Sequence, residues 1–148
     1  MSKIKAYGVC LYKIIDKNNI EILLCKSVQS NEKWGLLKGG SEKNETKIQT
    51  ALREFKEESS IELSEKDLEN YFEQQNETKD IGVWLVNANK IQNLNKYFIN
   101  DTLKHNLLSW ENSKVKFFNL NNLPPIKKKQ IFLVAQIKDY LQNTHQSH

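Results

Sequence analysis

Three glutamates stand at positions 54, 57 and 58, directly after Arg53. On a helix these are positions i, i+3 and i+4, so their carboxylates share one face. Like charges at that spacing repel by a few tenths of a kcal/mol per pair, and by more where neighbouring structure excludes water. A bound divalent cation reverses the sign of that term. Donors that are all oxygen, with no His or Cys among them, suit Mg²⁺, Mn²⁺ or Ca²⁺ and argue against zinc. The competing use of the same residues is a solvated acidic helix face.

A shared face requires a helix, and the local pattern supplies one. Ile48, Ala51, Leu52 and Phe55 fall at i, i+3, i+4 and i+7, the spacing of a single buried stripe, and Thr46 with Gln49 fits a capping box at its start. At 100° per residue the carboxylates lie roughly 120° from the centre of that stripe, so they should edge the core. Before the helix, Gly39 and Gly40 lack the side chains that would bar positive φ or a close backbone approach to a ligand.

The surrounding elements follow from period and turn chemistry. Alternation over Lys3 to Ile15, a turn at Asp16 to Asn19 and a strand at Glu21 to Lys26 read as a hairpin. A short strand or extended loop is expected around Trp34 to Lys38, a second helical piece at Ser64 to Asn70, and strands at Tyr71 to Gln75, Asp80 to Ala88 and Val115 to Leu120. Pro124 and Pro125 should open a last amphipathic helix that ends near Leu141. The order predicts an α/β fold in which a mixed, largely antiparallel sheet carries helices on both faces. The polar, Asn-rich stretch 89–106 is ambiguous. One domain over 1–142 and a disordered tail over 143–148 complete the expected organisation.

Composition narrows the class. With 148 residues, 39% of them apolar and 27% charged, the chain suits one globular domain without a structural metal or disulfide. No apolar run approaches the ~18 residues that would cross a bilayer, and the N-terminus reads as a first strand and not a signal peptide, so a cytoplasmic address is expected. Cys10 and Cys25 lie in apolar strands without a zinc-like spacing and read as buried free thiols. The net charge of +4 permits a polyanionic ligand without demanding one. Lys127, Lys128 and Lys129 either form a solvated face or contact RNA or a polyphosphate.

Taken over a longer stretch, Gly39, Glu45, Arg53-Glu54-Phe55, Glu57-Glu58 and Ser60-Ile61 resemble the Nudix box, the signature of the Nudix hydrolase family. The departure is Ser60, where the family usually has Gly; a non-Gly residue in a left-handed helix end costs on the order of 1 kcal/mol. The resemblance implies a Nudix-like α/β/α sandwich in which the box forms a loop, a helix and a loop. It implies that Glu54, Glu57, Glu58 and the Gly39 carbonyl coordinate Mg²⁺, with Mn²⁺ as a substitute. Arg53 and Glu45 are then structural, Arg53 orienting a carboxylate. Nudix enzymes usually add an acid from a later loop, and Glu111, six residues before Phe117, resembles it as a further ligand or the general base. The implied reaction is attack of water on a phosphoanhydride linking a nucleoside diphosphate to another group X.

Substrate signals are fewer. Trp34-Gly35-Leu36-Leu37-Lys38-Gly39 resembles the W-x-x-P-K-G segment of Nudix enzymes acting on diadenosine polyphosphates or on RNA 5′-triphosphate ends, with Leu37 where Pro is usual. Lys38 would then meet a polyphosphate as a point charge. Gly40 keeps a trace of the P-G-G pattern of the nucleotide-sanitising branch. Trp34 and Trp110 could stack on a base or belong to the core, and Tyr97 with Phe98 could form a base platform. The expected substrate is a dinucleoside polyphosphate. RNA 5′-pyrophosphate removal, NTP or ADP-sugar cleavage, and a non-catalytic nucleotide-binding module are the alternatives; no membrane or DNA partner is expected.

Overall fold

Strand β1, Ile4–Asp16, places Tyr7, Val9 and Leu11 on one side and Cys10 and Tyr12 on the other, the period of two that a strand covered on both faces requires. The computed structural model describes residues 3–30 and 32–145. The remaining strands are β2 (Asn19–Ser27), β3 (Leu37–Gly40), β4 (Tyr71–Gln75), β5 (Lys79–Asn87), β6 (Phe98–Ile99), β7 (Thr102–Leu103) and β8 (Asn112–Asn119), with helices α1 (Lys47–Ser59) and α2 (Ile131–His145).

β1 is the centre of the sheet. One edge runs parallel to β5, from Ile4 opposite Lys79 to Tyr12 opposite Asn87. The other edge is divided: its first half pairs antiparallel with β3, Gly8 opposite Lys38, and its second half pairs antiparallel with β2. The full order is β4-β5-β1-β2-β8-β7-β6, with β3 attached to β1. The sheet is mixed and largely antiparallel, as expected.

Each face has its own core. Ala51 and Phe55 of α1 join Tyr7, Val9, Leu11, Leu23, Leu37 and Phe117. Leu133, Val134, Ile137 and Leu141 of α2 join Cys10, Tyr12, Ile22, Leu24 and Val83. Helix, sheet and helix therefore form three layers. Cys10 and Cys25 are buried free thiols, and burial pushes both pKa values up, that of Cys25 to about 12.

Several boundaries differ from expectation. Pro124 and Pro125 do not open α2. They lie in an extended segment whose Pro125 carbonyl accepts the Trp34 N–H at 2.9 Å, and whose Ile126 bridges Trp34 in parallel; a 3₁₀ turn over Lys128–Gln130 leads to the helix at Ile131. α2 also continues past Leu141 to His145, whose ring lies 5.8 Å from that of Tyr12. Residues 143–145 are thus helical, and 146–148 lie outside the described residues. The piece expected over Ser64 to Asn70 is one 3₁₀ turn, Glu65–Asp67. The ambiguous stretch holds short 3₁₀ turns and the β6–β7 hairpin, and two of its asparagines, Asn93 and Asn100, occupy left-handed positions at φ 59° and 57°. Asn tolerates that region better than most residues, which accounts for part of the composition.

Candidate active site

α1 starts where its capping box predicts. The Thr46 hydroxyl accepts the Gln49 N–H at 3.1 Å, and the Gln49 side-chain oxygen accepts the Thr46 N–H at 3.0 Å. The helix ends on Ser60 at φ 66°, the left-handed position that Gly takes without strain. Ser60 offers something Gly cannot: its hydroxyl donates to the Leu107 carbonyl at 3.1 Å, tying the helix end to the loop that leads to Glu111.

Between these caps the three glutamates meet different environments. Glu57 is exposed, Glu54 is partly buried and Glu58 is buried at 7% exposure, so Glu58 enters the core that the helical wheel had it merely edging. One oxygen of Glu58 accepts the Asn112 amide at 3.2 Å. The other, Oε2, is buried and has no hydrogen-bond partner among the described residues. Burial raises the Glu58 pKa to about 7; the Asn112 hydrogen bond and the Lys38 charge oppose the rise, while Glu54 and Glu111 add to it. Glu54 is also raised, first by burial, with Arg53 opposing.

Arg53 holds the acidic face together. Its Nε donates to Glu45 Oε2 at 2.6 Å and its Nη2 to Glu45 Oε1 at 3.0 Å, a two-pronged pair that draws the Glu45 pKa down to about 2. Nη1 reaches Glu54 at 3.0 Å and Glu57 at 3.2 and 3.3 Å, and Nη2 also donates to the Gly40 carbonyl at 2.9 Å. Thr50 adds a hydroxyl donor to Glu45 at 2.9 Å. One guanidinium thereby fixes the loop of Gly40 against the helix.

Gly39 matters through proximity. A Cβ there would land on the Glu54 carboxylate, whereas at Gly40 it would meet open space. Neither glycine has positive φ, so the close approach of the Glu54 carboxylate is what position 39 requires. Lys38 stands beside this contact, near enough for its charge to act on Glu58. Glu111 is exposed and its charge acts on both Glu54 and Glu58.

The aromatic candidates separate. Trp110 is 86% exposed in the loop before Glu111. Trp34 is buried in the α2-side core, edge-on to Phe118 at 4.6 Å, and presents no free ring face to a base. Tyr97 and Phe98 pack against the α1-side core. Two positioning residues gave no signal in the sequence. Asn112 is the donor to buried Glu58. Gln130 accepts the Leu36 N–H at 2.7 Å and would collide with any side chain at position 35, so it pins the segment that carries Lys38 and Gly39.

The donors suit a hard divalent cation. The orphaned Glu58 oxygen, the Glu54 carboxylate against the Gly39 backbone and the open Glu111 are all oxygen donors on one side of α1. Among the described residues no three His, Cys, Asp or Glu side chains converge as a ready cluster, and Arg53 occupies Glu57 and one oxygen of Glu54.

A NUDIX domain family model matches residues 5–139. No curated protein matches the chain. Solved structures do: an Ap4A hydrolase from C. elegans, crystallised in a binary complex, is 22% identical with a TM-score of 0.57, covering 95% of this chain and 94% of that one. A NUDIX hydrolase from Nitrosomonas europaea is 18% identical with a TM-score of 0.67, covering 100% and 75%. A MutT NUDIX hydrolase from Burkholderia pseudomallei is 20% identical with a TM-score of 0.62, covering 93% and 99%. At these identities the structures speak for the fold, while the family model spans nearly the whole chain. The chain belongs to the Nudix family, as an α/β/α hydrolase of the pyrophosphohydrolase kind.

Proposed function

We propose that this enzyme hydrolyses a phosphoanhydride in a nucleoside diphosphate linked to X, with a dinucleoside polyphosphate of the diadenosine tetraphosphate type as substrate. The observation that carries the reading is the unpartnered, buried Glu58 Oε2 beside a Glu54 carboxylate that leaves room only for glycine at position 39. Glu54, Glu57, Glu58 and the Gly39 carbonyl hold Mg²⁺, or Mn²⁺ in its place, and Glu111 is a further ligand or the general base. Bound there, such an ion would offset phosphate charge and supply a more acidic water.

The chain's own residues do the rest. Arg53 and Glu45 set the height of the Gly40 loop over the helix, Asn112 fixes the Glu58 carboxylate, and Lys38 meets the phosphates. Trp110, exposed in the same loop as Glu111, is free to stack on a base; Trp34 is not. The substrate class is supported by the Trp34 to Gly39 segment and by the fold shared with an Ap4A hydrolase.

The test is magnesium-dependent product release from diadenosine tetraphosphate, triphosphorylated RNA, NTPs and ADP-ribose, read by chromatography. Glu57→Gln should lower kcat roughly 10²–10³-fold, the scale of losing one electrostatic contact to the transition state. Preference for NTPs or ADP-ribose would sink the substrate class and leave the hydrolase standing. Full activity of the Glu57→Gln protein would sink the metal site.

A further inference from the structure

On the α2 side of β3, lysines from three separate elements come together. Lys38 lies opposite Gly8 in the sheet, and Lys79 opens β5, the strand on the other edge of β1. Gly8 has no room for a side chain because the Lys38 backbone and Cβ occupy that space. Lys79 pairs with Ile4, four residues before Gly8 on the same side of β1, so the two lysines share the α2-side face of the sheet, and the Lys38 charge acts on Lys79.

The 3₁₀ turn before α2 adds two more. The Lys127 N–H donates to the Trp34 carbonyl at 2.9 Å, which anchors it four residues from Lys38. The Lys129 ammonium donates to the Thr78 hydroxyl at 3.4 Å, and its carbonyl accepts the Asn76 amide at 3.0 Å, which places it next to Lys79. Gln130 locks the turn to the Lys38 segment through Leu36. None of the four lysines forms an ion pair among the described residues. Glu77 lines the same hollow as Lys128 and Lys129 without bonding to either. Phe132, 69% exposed, stands at the rim of that hollow.

A solvated lysine run keeps its charges apart and wet. This set brings the charges of Lys38, Lys127 and Lys129 to bear on one half-buried ammonium, that of Lys79, whose pKa falls to about 8, first through burial and then through its lysine neighbours. Such a group is stabilised by an anion placed among the four.

We infer that Lys79, Lys127 and Lys129 extend the Lys38 contact into a binding track for successive phosphate groups of a nucleotide chain, leading away from Gly39, with Phe132 as a stacking surface at its outer end. The track's continuity with the reacting phosphate rests on the metal-site reading above; its affinity for polyanions does not. The shared ligand chemistry is a row of phosphates, supplied either by the backbone of single-stranded RNA or by a longer polyphosphate.

The experiment is fluorescence-anisotropy binding in EDTA, over a salt series, of a 5′-triphosphorylated RNA decamer, with inorganic tripolyphosphate as competitor. The proteins are wild type, Lys79→Gln/Lys127→Gln/Lys129→Gln, and a control lacking three exposed lysines elsewhere, Lys17→Gln/Lys33→Gln/Lys66→Gln. Because the first triplet removes mutual repulsion, its thermal midpoint should hold or rise. Its RNA affinity should fall about tenfold or more at low salt, and its salt slope by about 2, given ~0.7 per single-strand phosphate contact. Loss for RNA with tripolyphosphate unchanged, together with weakening by Phe132→Ala, assigns the track to an RNA backbone. Equal loss for both assigns it to a polyphosphate. A track triplet that binds both like wild type, or a control triplet that loses as much, overturns the inference. Because catalysis is absent in EDTA, these outcomes stand apart from any failure of the hydrolase reading.

Discussion

Around Arg53, three carboxylates and a carbonyl share one guanidinium. Around Lys79, three further lysines gather with no carboxylate paired to any of them among the described residues. Both are dense clusters of charge, and they flank the same short strand, β3. The acidic cluster has one cation inside the fold, which ties its carboxylates into fixed hydrogen bonds but offsets only part of their charge. The basic cluster leaves its counter-charge to come from outside. Both clusters leave charge for a ligand of the opposite sign; they differ in that the acidic one is already held in place by a cation of the fold and the basic one has no anion of the fold to hold it.

Removing Arg53 should break the acidic side most severely. Arg53→Ala leaves Glu45, Glu54 and Glu57 repelling one another and loses several charge-assisted hydrogen bonds in a partly buried setting. The expected loss is about 3 kcal/mol, read as a lower urea midpoint. Arg53→Lys should recover little of it, because an ammonium cannot hold both Glu45 oxygens and reach Gly40 at once. A lysine variant as stable as wild type would mean that net charge, and not the planar fork, holds the loop.

Glu58 sharpens the contrast, because of the three glutamates on α1's acidic face it is the one that Arg53 does not reach. In the metal-free protein its pKa stands raised to about 7 from 4.5. A carboxyl raised on folding is stable when protonated: its contribution is fully present below pH 4.5 and is lost as pH rises through 7. Glu58→Gln keeps the Asn112 contact without the charge, so it should match wild type at pH 4 and exceed it at pH 8 by on the order of 2 kcal/mol. Saturating Mg²⁺ should cancel or invert that gain, while turnover disappears. Equal stability at both pH values would place the Glu58 charge in water.

The two clusters were unequally legible. α1 follows from near-neighbour rules, the i, i+3, i+4 stripe and the Thr46–Gln49 box, so its start and the shared face of its glutamates could be read directly. The burial of Glu58 could not, because the wheel angle says nothing of Asn112, 54 residues away, which covers it. The lysine cluster was invisible as a cluster: Lys38 and Lys79 come onto one face of the sheet because β1 pairs with β3 on one edge and β5 on the other. Pro124 and Pro125 misled for a related reason. The local preference of Pro for a first helical turn gave way to a hydrogen bond from the Trp34 N–H to Pro125, and the Trp34 carbonyl in turn accepts the Lys127 N–H that draws that lysine inward. Trp34, read as a possible stacking ring, was claimed by the α2-side core.

Ser60 offers the finest test, because it joins the acidic helix to the loop of Glu111. Two effects of similar size oppose each other there. Ser60→Gly relieves on the order of 1 kcal/mol of left-handed strain but forfeits the hydrogen bond to Leu107, about 1 kcal/mol, so stability should change by less than ~0.5 kcal/mol. Ser60→Ala keeps the strain and loses the bond, and should cost about 1 kcal/mol. If Ala and Gly were equally tolerated, the left-handed strain would be small. If both cost the same 1 kcal/mol, the bond to Leu107 would be the whole effect. In the expected case, amide exchange around Leu107 rises in both variants while only Ala lowers the melting temperature, which separates the anchoring of the Glu111 loop from the stability of the helix end.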